Sequence, residues 1–281
     1  MPAPVQAELR DLTRYRKKLI EERSRETQRV QKLLEDAGIK LDSVVSDILG
    51  VSARQMLEAL ITGVRDIDAL AGLARTRMRP KIPQLRRALE GRFGAHHALM
   101  LRMHLDHIDQ LSVAIERLDV EVDRVIRPFS EQLRRLITIP GVGRRTAEVI
   151  IAEVGVDMRR FATAGHLGKR RSGRARKGNA ALRAALCEAA WAAARSKTGY
   201  LPAQYRHLMR TFGKKGQTRA VFAIGHSILV ISWHLLANGC DDADLGAEHF
   251  TRHTDHEARK RYLVRQLEAL GQKVTIEAAV A

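Results

Sequence analysis

The chain has 281 residues and a formal net charge of +17 at neutral pH. Its 45% hydrophobic and 29% charged residues are typical of a globular protein and exclude a disordered or fibrous chain. The two cysteines, Cys187 and Cys240, exclude a disulfide framework and lack the spacing of a zinc site. The N-terminus has no signal-peptide pattern, and no apolar run approaches the length of a membrane span. We therefore expect a cytoplasmic protein that does not enter a membrane.

Most of the positive charge lies in one part of the chain. Between Met158 and Cys240 there are sixteen Lys and Arg residues and one acidic residue, Glu188, so this segment contributes +15. Such a segment favours binding to a polyanion, because Lys and Arg side chains that neutralise its phosphates release the counterions condensed on it. DNA is therefore the first expected partner. Aromatic residues make up only 4% of the chain, which favours backbone contacts over base stacking.

Helix-forming residues dominate the composition and predict a mainly α fold, beginning with a helical coiled-coil or linker region over residues 1–130. Leu9–Glu35 is predicted to be one charged helix that ends near Gly38. Ala95–Arg127 carries apolar residues at heptad spacing and ends before Pro128. This second helix is either a coiled coil or an amphipathic helix within its own domain. Its partner is either the first helix or a second protomer, and we expect a homo-oligomer through the coiled coil.

Residues 131–240 are predicted to form a DNA-binding domain with a helix-hairpin-helix motif at Leu136–Gly155. Glycines in the central Ile139–Gly143 segment allow a tight turn, and the following helix begins with exposed backbone amides. Such amides bind a phosphate oxygen without reading a base. The alternative is a hairpin that only packs the domain, with Glu148 and Glu153 reducing the local positive charge. The candidate DNA-binding residues here are Gly141, Gly143, Arg144 and Arg145.

A basic block follows at Gly168–Asn179, before an Ala-rich helix that Asn179 is predicted to cap. The block has six basic residues and three glycines, which predicts a loop able to wrap a phosphate backbone. The alternative is a solvated run of charge. The tail, residues 241–281, is predicted to be helical and carries no identifiable chemistry. The candidate DNA-binding residues in the block and further along are Lys169, Arg170, Arg171, Arg174, Arg176, Lys177, Lys214 and Lys215.

The hairpin, the block from Ser172 to Arg183 and the Ala-rich helix together resemble part of a known family. These are the bacterial insertion-sequence transposases that combine a RuvC-like, DEDD-type domain with a serine-bearing C-terminal domain and are guided by a bridge RNA. The resemblance extends to a coiled-coil region that joins the two domains in that family. It implies DNA transposition and recombination, with DNA and a guide RNA as partners. It also implies magnesium held by four carboxylates and a serine that attacks the DNA backbone.

Two departures from that pattern make enzymatic activity of this chain alone uncertain. The sequence begins at what would be the linker helix, so we expect only the C-terminal portion, without the magnesium-binding domain. The segment that carries the nucleophilic serine in the family is also missing, because Leu167 runs directly into Gly168. Ser172 is the nearest remaining hydroxyl and a weak candidate nucleophile, since no general base or metal ligand lies beside it in sequence. We therefore expect a transposase fragment that binds DNA without cutting it.

Two further clusters are compatible with a metal, but we predict solvated surface for both. His104 and His107 lie three residues apart on a predicted helix, a spacing found in helical metal sites. Asp241, Asp242 and Asp244 form a short acidic segment. Neither cluster has the four complementary ligands that a structural zinc site needs. We assign no metal and no cofactor to this chain.

Two other classes of function fit the same sequence. One is a standalone helix-hairpin-helix protein that binds nucleic acid as an accessory or architectural factor. The other is an interaction module whose coiled coil forms mixed oligomers with a full-length transposase. A degraded acidic domain encoded upstream would favour the transposase fragment over the standalone protein. Co-purification with a full-length relative would favour the interaction module.

Overall fold

The computed structural model describes residues 4–167, 178–249, 264–268 and 271. These residues form helices and connecting loops without a strand, which confirms the mainly α prediction. The chain divides into two compact units, one of residues 8–125 and the other of residues 1–7 together with 126–281. The boundaries predicted near residues 130 and 240 stay a prediction.

The unit of residues 8–125 is built on two long helices with shorter helices between them. The first begins at Pro4 and the last ends at Ile126, so each extends slightly beyond the unit. The α-helices are α1 (Pro4–Asp36), α2 (Val51–Ile61), α3 (Ile67–Gly72), α4 (Ile82–Ala88) and α5 (Ala95–Ile126), with 3-10 turns at Leu41–Ser43 and Thr76–Lys81.

Helices α1 and α5 run antiparallel, because residues late in α1 meet residues early in α5. Arg16 Nη1 donates to Asp119 Oδ1 at 2.8 Å, and Arg124 Nη2 donates to Glu8 Oε1 at 2.9 Å. Further along, Leu19 packs with Leu111 and Ile115 of α5, so contact positions rise along α1 as they fall along α5. The partner of α5 within this chain is thus α1, one of the two predicted partners. A coiled coil and a homo-oligomer stay predictions.

The core of this unit contains large aliphatic side chains from both long helices and from the short ones. Hydrophobic burial of this kind is the main favourable term in folding. Leu34, Leu41, Met56, Leu57 and Leu101 are all buried in one cluster.

The second unit surrounds an apolar helix, α11, that packs against α9 and α10. Its first residues come from the N-terminus, where Gln6 Nε2 donates to the carbonyl oxygen of Ala152 at 3.2 Å. Its α-helices are α6 (Ser130–Ile137), α7 (Arg144–Val154), α8 (Ala164–Leu167), α9 (Ala180–Ala194), α10 (Tyr200–Phe212) and α11 (Gln217–Asn238), with 3-10 turns at Arg127–Phe129, Met158–Arg160 and Lys214–Gly216.

Helix α11 corrects one sequence-based statement. Among the described residues it is long and apolar enough to cross a membrane by length and composition, although we predicted no such run. Ala220, Ile224, Ile228 and Leu235 are buried along it, and it packs on neighbouring helices of the same unit. Its apolar character is therefore that of a core helix and does not by itself indicate a membrane protein.

The tail begins with a loop that is fixed to α6 and α10. Asp241 accepts two hydrogen bonds from Arg134, and Asp244 accepts one from the backbone N–H of Tyr200 at the start of α10. Residues 264–268 are helical. Most of the rest of the predicted tail helix lies outside the described residues.

Candidate nucleic-acid interface

Helices α6 and α7 are joined by a tight turn, and a helix-hairpin-helix motif stays a prediction. The backbone N–H of Val142 donates to the carbonyl oxygen of Ile139 at 3.0 Å. Pro140 occupies the second position of this turn, and Gly141 the third, with φ of +86°. This is the arrangement of a type II turn, which favours proline and then glycine at those positions. The Pro-Gly pair therefore explains why the chain reverses here.

The turn lies directly against α9. A Cβ atom placed on Gly141 would be 2.4 Å from the carbonyl oxygen of Ala189 and 2.6 Å from the backbone nitrogen of Ala193. Such contacts do not occur between real atoms, so any side chain at position 141 must displace the helix. Gly141 thus has a packing role, as the alternative interpretation of the hairpin predicted.

Gly143 differs from Gly141, and this corrects the sequence-based view that both glycines serve the turn. Its φ of −82° and ψ of 170° are open to any residue, and an added Cβ would meet nothing within 4 Å. Gly143 is the N-cap of α7, and no side chain caps that helix end. The start of α7 is therefore an exposed helix N-terminus without a side-chain cap, the type of site that favours an anion.

The two arginines after Gly143 are both exposed, but the charge of Arg144 is partly compensated. Arg144 Nε donates to Glu148 Oε1 at 3.0 Å, and the Glu148 carboxylate is buried. Because a buried carboxylate needs a partner, this ion pair holds Arg144 along α7. Arg145 extends the positive surface beside it.

The basic block falls outside the described residues. Lys169, Arg170, Arg171, Arg174, Arg176, Lys177 and the candidate nucleophile Ser172 therefore stay sequence-based predictions. The residue that ends the block is described: Asn179 Oδ1 accepts from the backbone N–H groups of Ala181 and Leu182, both at 3.1 Å. This confirms the predicted cap of the Ala-rich helix, which is α9.

The hairpin turn and the end of the basic block lie at opposite ends of α7. The turn meets the C-terminal half of α9 at Ala189 and Ala193, whereas Asn179 at the start of α9 donates to Glu153 near the end of α7. Helices α7 and α9 are therefore antiparallel. The eleven residues of α7 separate the turn from the contact between Asn179 and Glu153 by roughly 16 Å. The sequence placed both in one domain but did not show this separation.

Further basic side chains lie on the connections around α10. Lys214 and Lys215 begin the turn before α11, and Lys215 is exposed. Arg206 Nη1 donates to the carbonyl oxygen of Lys197 at 3.5 Å, which joins α10 to the loop after α9. The sequence included Arg206 and Lys197 in the positive segment but did not select them as site residues. Only the fold shows that they are neighbours.

We predicted solvated surface for His104 and His107, but both histidines contact a buried carboxylate on another helix, which corrects that prediction. His104 Nδ1 lies 2.8 Å from Glu26 Oε2, and His107 Nδ1 lies 3.5 Å from Glu26 Oε1, on the opposite helix. Arg29 also contacts this buried carboxylate. Burial alone would raise the pKa of Glu26, but the hydrogen bond from His104 and the charges of Arg29 and both histidines lower it below the ordinary 4.5. In the described part of the chain, no group of three metal-ligating side chains is placed to hold an ion.

The described residues of this unit carry exposed basic side chains and a start of α7 without a side-chain cap. Comparison with protein families then matches residues 133–169 and 168–206 to the family described as Transposase IS116/IS110/IS902. The matched segments cover less than half of the chain and contain the hairpin, the basic block and α9. A comparison with curated proteins gives no match. The family match confirms the resemblance to insertion-sequence transposases, and that family implies DNA binding.

Proposed function

We propose that this chain is the DNA-binding, C-terminal portion of an insertion-sequence transposase of the RuvC-like, bridge-RNA-guided type, and that it acts in the cytoplasm. The observation that carries the proposal is the uncompensated charge of residues 158–240, where sixteen basic residues accompany only Glu188. This segment overlaps the family match. Because charge of one sign repels itself unless a polyanion neutralises it, the segment is suited to a phosphate backbone.

The start of α7 supplies a phosphate contact within this surface. Gly143 leaves the first amides of α7 without a side-chain cap, and Arg145 lies next to them on the exposed face. A phosphate oxygen placed there would accept hydrogen bonds from backbone groups that carry no sequence information. Binding at the hairpin is therefore independent of sequence.

A Gly143→Asp variant tests this contact. The backbone at position 143 already has N-cap geometry, so an Asp side chain should cap α7 and leave the free energy of unfolding unchanged or raise it by about 0.3 kcal/mol. The same carboxylate should occupy the amides, repel phosphate and lower DNA affinity about tenfold. Fluorescence anisotropy with duplex DNA over a series of salt concentrations measures the effect.

The matched control is Gly72→Asp in the other unit. Gly72 is also an exposed glycine with nothing within 4 Å of an added Cβ, so an Asp side chain fits there without a clash. The substitution changes the net charge by the same amount as Gly143→Asp. Equal loss of affinity in both variants would show a general charge effect and remove the hairpin from the interface. Absence of DNA binding by the unsubstituted chain would reject the proposed function.

The second part of the proposal is that these 281 residues do not cut or join DNA by themselves. Ser172 has no general base or metal ligand beside it in sequence, and nucleophilic attack by serine needs such activation. Magnesium would act with a RuvC-like domain rather than with these residues. A strand-transfer and covalent-adduct assay with element-end DNA, guide RNA and magnesium tests this. DNA binding without an adduct is expected, and an adduct at Ser172 would contradict it.

Two partners complete the proposal. The guide RNA would use the same phosphate-binding surface, which competition between RNA and DNA in the anisotropy assay measures. A homo-oligomer would form through the long helices, and sedimentation of the free chain reports it. DNA bending by the purified chain, without adduct formation and without effect from guide RNA, would instead favour the standalone architectural protein.

A further inference from the structure

One exposed aromatic side chain lies inside the positive surface. Trp191 on α9 is 36% exposed, and its ring centroid is 6.4 Å from that of Tyr205 on α10, with 56° between the planes. Three exposed cations come from the same two helices and the loop between them: Arg195 ends α9, Lys197 follows it, and Arg206 lies next to Tyr205 in sequence. We name this surface the α9–α10 patch: Trp191, Arg195, Lys197, Tyr205 and Arg206.

The fold holds the patch together. Arg195 follows Trp191 by one helical turn, so both side chains lie on the same side of α9. The hydrogen bond from Arg206 to the carbonyl oxygen of Lys197 fixes α10 to the loop after α9. Ala189 and Ala193, which face the hairpin turn, lie about 200° around α9 from Trp191. The patch is therefore a different contact surface from the hairpin.

An indole face beside several cations has the chemistry of a stacking site for a nucleobase. A base supplies a flat π surface for Trp191, and its flanking phosphates supply negative charge for the cations. The low aromatic content of the whole chain disfavours a continuous row of stacked bases, but it does not disfavour a single stacked base. A protein partner would need acidic groups opposite the three cations, whereas every nucleotide carries its own phosphate.

We infer that the α9–α10 patch binds one unpaired base of single-stranded DNA, with Trp191 stacked on the base and Arg195, Lys197 and Arg206 on the neighbouring phosphates. This inference rests on the proposed function and adds a base contact to its backbone contacts. Glu188 lies three residues before Trp191 and is the one acidic residue of the segment. Glu188→Gln should therefore strengthen binding of the strand about twofold.

The test uses the fact that Trp191 and Trp233 are the two tryptophans of the chain. In a Trp233→Phe background, fluorescence reports Trp191 alone. The probe is a short single-stranded DNA, compared with a strand of equal length whose sugars carry no bases. We expect the normal strand to quench Trp191 and the abasic strand to bind without quenching. Trp191→Ala should lower affinity for the normal strand about tenfold and leave affinity for the abasic strand unchanged.

The outcomes separate this inference from the function on which it rests. Equal quenching by both strands, or equal loss of affinity for both in Trp191→Ala, would overturn the stacking site while DNA binding stands. Absence of binding of either strand to the unsubstituted chain would overturn the proposed function and the inference with it. Trp191→Phe keeps an aromatic ring and should lose less affinity than Trp191→Ala, and an equal loss in both variants would also contradict stacking.

Discussion

The two units of this protein are both helical and rich in arginine, but their arginines have different partners. In residues 8–125 the arginines meet carboxylates on other helices. Arg54 donates to both carboxylate oxygens of Asp109, at 2.9 and 2.7 Å, and Arg102 Nη2 donates to Glu58 Oε2 at 2.6 Å. Their charge is neutralised within the unit, so it contributes to helix pairing and little to attraction of a polyanion.

The composition of residues 158–240 has far more basic residues than acidic ones. Glu188 is the one acidic residue there, and the basic side chains from Arg195 to Arg219 whose exposure is described are exposed. The comparison teaches that the number of arginines does not locate an interface. An interface is located instead by the local excess of arginine and lysine over carboxylates.

The cores differ in the same two regions. The unit of residues 8–125 buries large aliphatic side chains, whereas α9 buries four alanines and receives Gly141 and Gly225 from its neighbours. Small residues let helices and turns approach closely, so packing there depends on the absence of side chains rather than on their size. The unit that contains α9 should therefore tolerate loss of charge better than gain of volume.

The largest expected effect comes from charge in the basic block. Replacing Lys169, Arg170, Arg171, Arg174, Arg176 and Lys177 with Gln should flatten the dependence of log affinity on log salt by about 5, since each phosphate contact contributes about 0.9 to that slope. A salt series by fluorescence anisotropy measures it. The matched set replaces six exposed basic residues of the other unit, Lys18, Arg25, Lys32, Arg77, Arg79 and Arg87, and should leave the slope unchanged. Equal slopes in the two sets would contradict a special role of the basic block in DNA binding.

A Gly141→Val substitution should have the next largest effect, on stability. Position 141 combines φ of +86° with a Cβ position 2.4 Å from a carbonyl oxygen, so we expect a loss of about 4 kcal/mol in the free energy of unfolding. Both tryptophans belong to this unit, and urea unfolding followed by their fluorescence measures the loss. Gly143→Ser is the control and should lose nothing. Similar losses in both variants would contradict the different roles of the two glycines.

In the other unit, a Glu26→Ala substitution should cost about 3 kcal/mol, because it leaves Arg29 and His104 without their buried partner. The folded-state pKa of Glu26 is lowered, so its charged form stabilises the fold fully above pH 4.5 and loses that contribution as the pH falls below it. Unfolding followed by circular dichroism between pH 3 and 6 should show a smaller fall in Glu26→Gln than in the unsubstituted chain, in which other ion-paired carboxylates such as Glu131 also contribute. A fall of equal size in both would exclude Glu26 as its source.

The sequence predicted the long helices and the turn between α6 and α7 well, because both depend on local patterns. Heptad spacing gave the buried seam of α5, and the Pro-Gly pair gave the turn at Gly141. Arg16 of α1 is buried, which is unusual for an arginine. Its partner Asp119 lies a hundred residues away, and no local pattern connects the two.

The candidate site was less predictable, because it depends on which distant segments meet. The sequence selected Gly143 for backbone freedom that the fold does not use. It also predicted solvated surface for His104 and His107 and did not identify Glu26 as their partner. In each case the missing information was a contact between helices that are far apart in the chain.

The smallest expected effect concerns the junction between the basic block and α9. Asn179→Ala removes the acceptor for two backbone N–H groups and the donor to Glu153, so it should cost about 1 kcal/mol in the free energy of unfolding. Asn179→Asp keeps the cap and should restore most of that loss, but it places a second carboxylate beside Glu153. Tryptophan-detected urea unfolding measures both variants. If Asn179→Asp is as unstable as Asn179→Ala, the contact with Glu153 rather than the cap determines how α9 begins, and the basic block is anchored to α7.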